Sequence, residues 1–194
     1  SGLTGCRKDD DGVDGINLGS GDIGVLNYAY ALEQLEAAFY TQVVQSQYAN
    51  ITAAETAYLT DIRDHEIAHR EFFKKALGNN AIPALEVNFS AIDFGNRASV
   101  LGTAKAFEDL GVSAYNGAGK LLTDVNYLVA AGKIVSVEAR HAALIRELLS
   151  PNSFGNAEVV DSNGLDLAKS PRDVLSVAAG FLKSKVNATT FPPS

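Results

Sequence analysis

Two of the three histidines in this 194-residue chain follow a glutamate by three positions: Glu66–His69 in "DHEIAHREFF" and Glu138–His141 in "VEARHAALI". With glutamates this sparse, a given histidine meets that spacing by chance about 5 % of the time, and one such pair is an ordinary helix neighbour with no function. The two pairs are not isolated, however. Aligning Glu33 with Glu108 brings Leu26 onto Leu101, Ala29 onto Ala104 and Tyr40 onto Tyr115. Aligning Glu66 with Glu138 brings Ile62 onto Ile134, His69 onto His141 and Leu77 onto Leu149. Each half of the chain therefore reads Glu, then Tyr seven later, then Glu-x-x-His about 30 residues on, and a repeated unit of this kind needs a shared physical cause.

On a helix, seven residues make nearly two turns and three make just under one. Glu33 and Tyr40 then share a face with Leu26 and Ala29, and Glu66 and His69 share one with Ile62 and Phe73. The pattern points four carboxylates and two imidazoles into an apolar interior, where an unpaired charge is very costly. A pair of divalent ions would compensate, and carboxylate oxygens with neutral imidazole nitrogens suit iron or manganese. Two helices offering one Glu each and two offering Glu-x-x-His form the known di-metal bundle arrangement. The expected ligands are Glu33, Glu66, His69, Glu108, Glu138 and His141.

Three further positions bear on this site. Glu36 lies in the middle of the apolar stripe of the first helix, but its repeat counterpart is Gly111; it is an extra metal ligand or a hydrogen-bonding neighbour of one, and Glu33 is preferred. His65 has no histidine counterpart, since Val137 takes that place. It is read as a packing residue or a partner of a ligand. Tyr40 and Tyr115 are most simply core aromatics. As candidate catalytic groups, one of them would donate a hydrogen bond to a ligand carboxylate or to oxygen bound at the metals.

The elements that must carry these residues can be traced in turn. Residues 1–21 read as a charged, Gly- and Asp-rich tether. Helices are expected from about Asp22 to Ser46, from a Thr52–Glu55 capping box to Gly78, from about Ala98 to Leu122, and from Thr123 or Asp124 to Leu149. The short loop between the first two makes them antiparallel, and Asn79 to Asn96, which contains Pro83, reads as a crossover. A short helix starts at Ser170-Pro171 and runs to about Lys183, ahead of a tail, "NATTFPPS". The expected fold is all-α: a four-helix bundle over residues 22–150 built of two antiparallel hairpins and one long crossover, plus a C-terminal extension over 151–194.

At 46 % apolar and 20 % charged residues, the composition is that of an ordinary globular domain with a real core. The net charge of −7, with Lys and Arg scattered, argues against nucleic acid as a partner. A single cysteine, Cys6, rules out both an internal disulfide and a cysteine-based zinc site.

The segments "LNYAYALEQLEAAFY" (26–40), "DHEIAHREFFKKAL" (64–77), "AFEDLGVSAY" (106–115) and "IVSVEARHAALIRELL" (134–149) resemble the ferritin-like superfamily, which includes ferritins, bacterioferritins and rubrerythrins. They look closest to the bacterial ferritin-like domain proteins related to plant desiccation-related proteins. The resemblance covers roughly residues 20–150 and implies the same six ligands. It also implies a reaction with oxygen or peroxide: related sites oxidise ferrous iron, reduce peroxide, oxidise organic substrates or dismutate peroxide. The alternative is a structural or stress-protective module in which metal only holds the helices. A homo-oligomer is compatible with the resemblance, but the C-terminal extension argues against a 24-subunit cage. Finally, "LTGC" at 3–6 resembles a bacterial lipobox, and Lys8-Asp9-Asp10-Asp11 resembles a surface-export tag. These imply lipid on Cys6 as the one membrane contact and a place in the cell envelope, with plain secretion as the alternative.

Overall fold

A computed structural model describes residues 14–187 and 189–191; Cys6 and the lipobox-like stretch lie outside the described residues. Four long helices form the body: α1 (Gly21–Gln45), α2 (Ala53–Leu77), α3 (Arg97–Ala118) and α4 (Val125–Leu149). Helix α1 packs along α2, and α3 packs along α4, so the molecule is two hairpins laid together, with α1 facing α3 across the centre. This is the all-α bundle with a crossover that the apolar periodicity requires.

Local chemistry sets the helix ends. Thr52 accepts from the Glu55 amide while the Glu55 carboxylate accepts from the Thr52 amide, the reciprocal cap expected from the sequence. Asn96 caps α3, Asp124 caps α4, and Ser170 with Pro171 starts the short α5 (Pro171–Ala178). Gly78, at φ 54°, ends α2 in a conformation that suits glycine. Two helices stop sooner than the periodicity suggests. α3 ends at Ala118 and α5 at Ala178, each passing into a single tight turn.

Helix α1 is buried on nearly every side, from Gly24 to Ala37 and again at Phe39, Tyr40 and Val43. The crossover closes one of its faces, and two polar side chains fasten it there. Asn27 donates to the carbonyls of Leu18 and Asn80 and accepts from the Ile82 amide; Gln34 donates to the Pro83 carbonyl and accepts from the Leu85 amide. Both polar groups are thereby satisfied inside an apolar setting. Phe39, Phe89, Phe94, Phe107 and Phe181 pack together around the same region, mostly edge to face.

The described parts of the expected tether and tail are packed on the bundle. Ile16–Asn17 (β1) pairs in parallel with Val186–Asn187 (β2), Leu18 is fully buried, and Phe191 packs edge-on against Tyr28. Apolar side chains at Leu18 and Phe191 fill gaps at the mouth of α1, an isolated signal that composition conceals. The extension after α4 is fastened too. Buried Arg146 forks onto Asp109 at 2.9 and 2.6 Å and reaches Asn156 and Glu158. Gly117 admits the backbone of Lys169, whose amide donates to the Ser113 carbonyl.

Candidate metal centre

Each long helix delivers its share of the repeated motif to one point in the middle of the bundle. Glu33 comes from α1, Glu66 and His69 from α2, Glu108 from α3, Glu138 and His141 from α4. The four glutamates are 0 % exposed, which makes them the most buried charged groups in the described chain. Their contacts repeat across the two halves. His69 Nδ1 lies 2.9 Å from Glu138 Oε1 and 3.5 Å from Glu33 Oε2; His141 Nδ1 lies 2.9 Å from Glu66 Oε1 and 3.5 Å from Glu108 Oε2. The internal repeat is thus a spatial one, with each histidine leaning on the bridging glutamate of the opposite hairpin.

The six residues divide into two overlapping sets: Glu33, Glu66, His69 and Glu138 in one, Glu66, Glu108, Glu138 and His141 in the other. Within each set one donor atom per residue lies within 4.8 Å of all the others. Glu66 and Glu138 belong to both, which is what two adjacent ions bridged by two carboxylates would require.

The hydrogen bonding tests whether these donors fit metal. Tyr40 donates to Glu108 Oε1 at 2.5 Å, and Tyr115 donates to Glu33 Oε1. The tyrosines cross over, each serving the glutamate of the other hairpin. The six remaining carboxylate oxygens, and Nδ1 of both histidines, have no hydrogen-bond partner among the described residues. The close His–Glu approaches do not meet hydrogen-bond geometry, yet one donor atom from each residue of a set lies within 4.8 Å of the others. Buried polar atoms in native proteins are almost always satisfied, and a cation could satisfy this cluster of eight that are not. Their oxygen and imidazole chemistry fits iron or manganese.

Without metal, protons must carry the compensation. Burial, the largest influence, pushes the Glu33 carboxyl up to about 8, with the charge of Glu66 adding to it. Burial and then Glu138 raise Glu36 well above the carboxylate range; burial and then Glu66 do the same to Glu138. Burial works against ionised Glu66, but His141 and His69 outweigh it and hold this carboxyl near 2. Burial also works against charged imidazoles, yet the surrounding carboxylates raise His69 to about 12 and His141 to about 10.

Glu36 is placed by the glycine opposite. A Cβ added at Gly111 would lie 3.2 Å from Glu36 Oε1 and 3.5 Å from Glu138 Oε2. The missing side chain of α3 therefore makes room for an extra carboxylate from α1, beside Glu138. Glu36 stands outside both four-residue sets. It lines a narrow cleft between α1 and α3, with Leu32, Leu35, Phe107, Leu110 and Gly111. His65 is exposed, and its Nδ1 lies 2.9 Å from His141 Nε2. Sequence reasoning missed Asn27 and Gln34, which hold α1 in place; two amide side chains on an otherwise apolar stripe were the available signal.

No curated protein matches the chain significantly. The sequence model of the ferritin-like domain covers residues 21–151, the span that holds all four long helices and every residue of the buried cluster. This chain belongs to the ferritin-like domain family.

Proposed function

We propose that the protein holds two divalent ions, iron or manganese, and reacts with oxygen or peroxide in the manner of a ferroxidase or peroxidase. The observation that carries this reading is the set of eight unpartnered donor atoms in the bundle centre. Glu33 and His69 would serve one ion, Glu108 and His141 the other, with Glu66 and Glu138 shared. When bound, such a pair supplies electrons to a small oxidant and neutralises charge that develops on it.

The remaining work belongs to the protein. Tyr40 and Tyr115 fix the orientation of Glu108 and Glu33, leaving one oxygen of each free to ligate. Glu36 keeps its proton, because burial and the neighbouring Glu138 disfavour its anion. Lining the cleft beside Gly111, it is the carboxylic acid available to protonate a reduced oxidant. The walls of the cleft are otherwise apolar.

Anaerobic addition of ferrous ion followed by air, watched by absorbance, tests the proposal. Turnover of ferrous ion well beyond two equivalents supports an enzyme with iron as substrate. Uptake of two equivalents and then arrest supports the structural, stress-protective module instead. A kinship with desiccation-related proteins is part of the same proposal, and it rests on the resemblance of the four helix segments quoted above.

From the resemblance of Leu3–Cys6 to a lipobox, we also propose that the protein sits at the bacterial envelope, anchored through lipid on Cys6. Seven residues separate Cys6 from Asp14, the first described residue, so lipid on Cys6 would hold the bundle close to a membrane surface. Cys6→Ser in the full precursor should release the protein to the soluble fraction; a native protein whose mass shows an unmodified Cys6 would refute the anchor.

A further inference from the structure

The two halves of the centre differ at Glu36, whose repeat counterpart is Gly111, and at His65. His65 precedes Glu66 on α2, about a quarter-turn round the helix, and so lies beside the site rather than in it. Its Nδ1 is 2.9 Å from His141 Nε2, and the two rings are nearly parallel, 7° apart with centroids at 5.2 Å. His141 presents its other nitrogen, Nδ1, to Glu66 and Glu108. An imidazole that ligates through Nδ1 keeps its proton on Nε2, and that N–H needs an acceptor. In the other half the repeat-equivalent of His65 is Val137, whose side chain accepts nothing.

We infer that His65 is a positioning residue for one metal position only: it accepts the Nε2–H of His141, fixes Nδ1 as the ligating atom, and makes the two positions unequal. The inference rests on the proposed di-metal reading and adds to it an order of affinity. The position served by His141, Glu108, Glu66 and Glu138 is the tighter of the two, because its imidazole is held in place before metal arrives. The position served by His69 has no side-chain acceptor supplied from its repeat-equivalent partner. Partners of this kind are worth roughly 10- to 100-fold in metal affinity.

Two substitutions separate the hydrogen bond from ring packing. His65→Phe keeps a flat ring against His141 and removes the acceptor. His65→Asn keeps an acceptor oxygen near the place of Nδ1 and removes most of the ring. Stepwise titration of the full chain with manganous ion should show two unequal affinities. His65→Phe should weaken the tighter one by roughly 10- to 100-fold and leave the weaker unchanged, while His65→Asn stays within about threefold of the parent. In the metal-free protein labelled at the imidazole nitrogens, a scalar coupling across the Nε2–H···Nδ1 bond between His141 and His65 should be present, and absent in His65→Phe. If His65→Phe matches the parent at both positions, or both positions weaken equally in both variants, the inference is overturned. A parent that binds no manganese and shows no coupling overturns it as well. A parent that binds no metal but shows the coupling refutes the di-metal reading alone, and leaves His65 established as the partner that orients His141.

Discussion

Removing the hydroxyls of Tyr40 and Tyr115 tests whether these residues orient ligands or merely fill the core. Each ring is buried, and each hydroxyl serves one carboxylate oxygen: Tyr40 that of Glu108, Tyr115 that of Glu33. Tyr→Phe keeps the ring and deletes one oxygen, so packing is conserved. The loss leaves a seventh carboxylate oxygen unpartnered in a cluster that already has six. A hydrogen bond to a charged group is worth about 1.5–3 kcal/mol, a figure that applies to the Tyr115 bond once pH exceeds about 8 and Glu33 has lost its proton. For a domain of this size that corresponds to a fall in melting temperature of roughly 3–12 °C. Metal affinity should drop about 10- to 100-fold, or about 1.4–2.8 kcal/mol, since an outer partner of a ligand is lost. The two estimates agree because the same hydroxyl is at stake. The assay is thermal unfolding of Tyr40→Phe and Tyr115→Phe in chelator, paired with metal titration. If both variants melt and bind metal like the parent, the tyrosines are core aromatics and nothing more.

Glu33→Gln should lower metal content more than Glu36→Gln, because Glu33 belongs to a four-donor set and Glu36 stands beside Glu138 outside both; the opposite order, read by elemental analysis, would make Glu36 the ligand. The metal-free protein should lose melting temperature as pH rises from about 5 to 9. Burial makes the Glu33 carboxyl hold its proton to about 8, so stability present below the ordinary carboxylate range is lost above it; raised His69 and His141 act in the same sense from about 6.5 upward. Bound metal replaces those protons and should flatten the profile, and a metal-free melting temperature that climbs over this range would contradict the charge accounting. Gly117→Ala would put a Cβ 1.8 Å from the Lys169 carbonyl oxygen. The extension should then lift, the Lys169–Ser113 hydrogen bond should break, and limited proteolysis should cut faster between residues 150 and 170; unchanged cleavage would mean the bundle can absorb the clash.

The architecture was legible because apolar residues recur at helical spacing and because caps such as Thr52–Glu55 announce their helices. The clustering of the six ligand candidates was legible for a different reason. Carboxylates on an apolar stripe are unstable in isolation, and their recurrence in two registers leaves few physical explanations. The position of Glu36 needed coordinates, since only a distance reveals that Gly111 vacates the space it fills. The His65–His141 contact was equally hidden, because it depends on how two hairpins are laid side by side. Likewise, nothing periodic marks Leu18, Asn187 or Phe191, of which Asn187 takes part in one short parallel pairing while Leu18 and Phe191 are buried against the bundle.

Metal content after reconstitution tests the central claim most directly. The full chain, stripped with chelator, loaded anaerobically with ferrous or manganous ion and desalted, is assayed for metal per chain. Two ions should remain on the parent, one for each four-residue set, with a clear loss in both His69→Ala and His141→Ala. A parent that retains no metal, or both histidine variants retaining two ions at undiminished affinity, would contradict the assignment of this buried cluster as a di-metal centre.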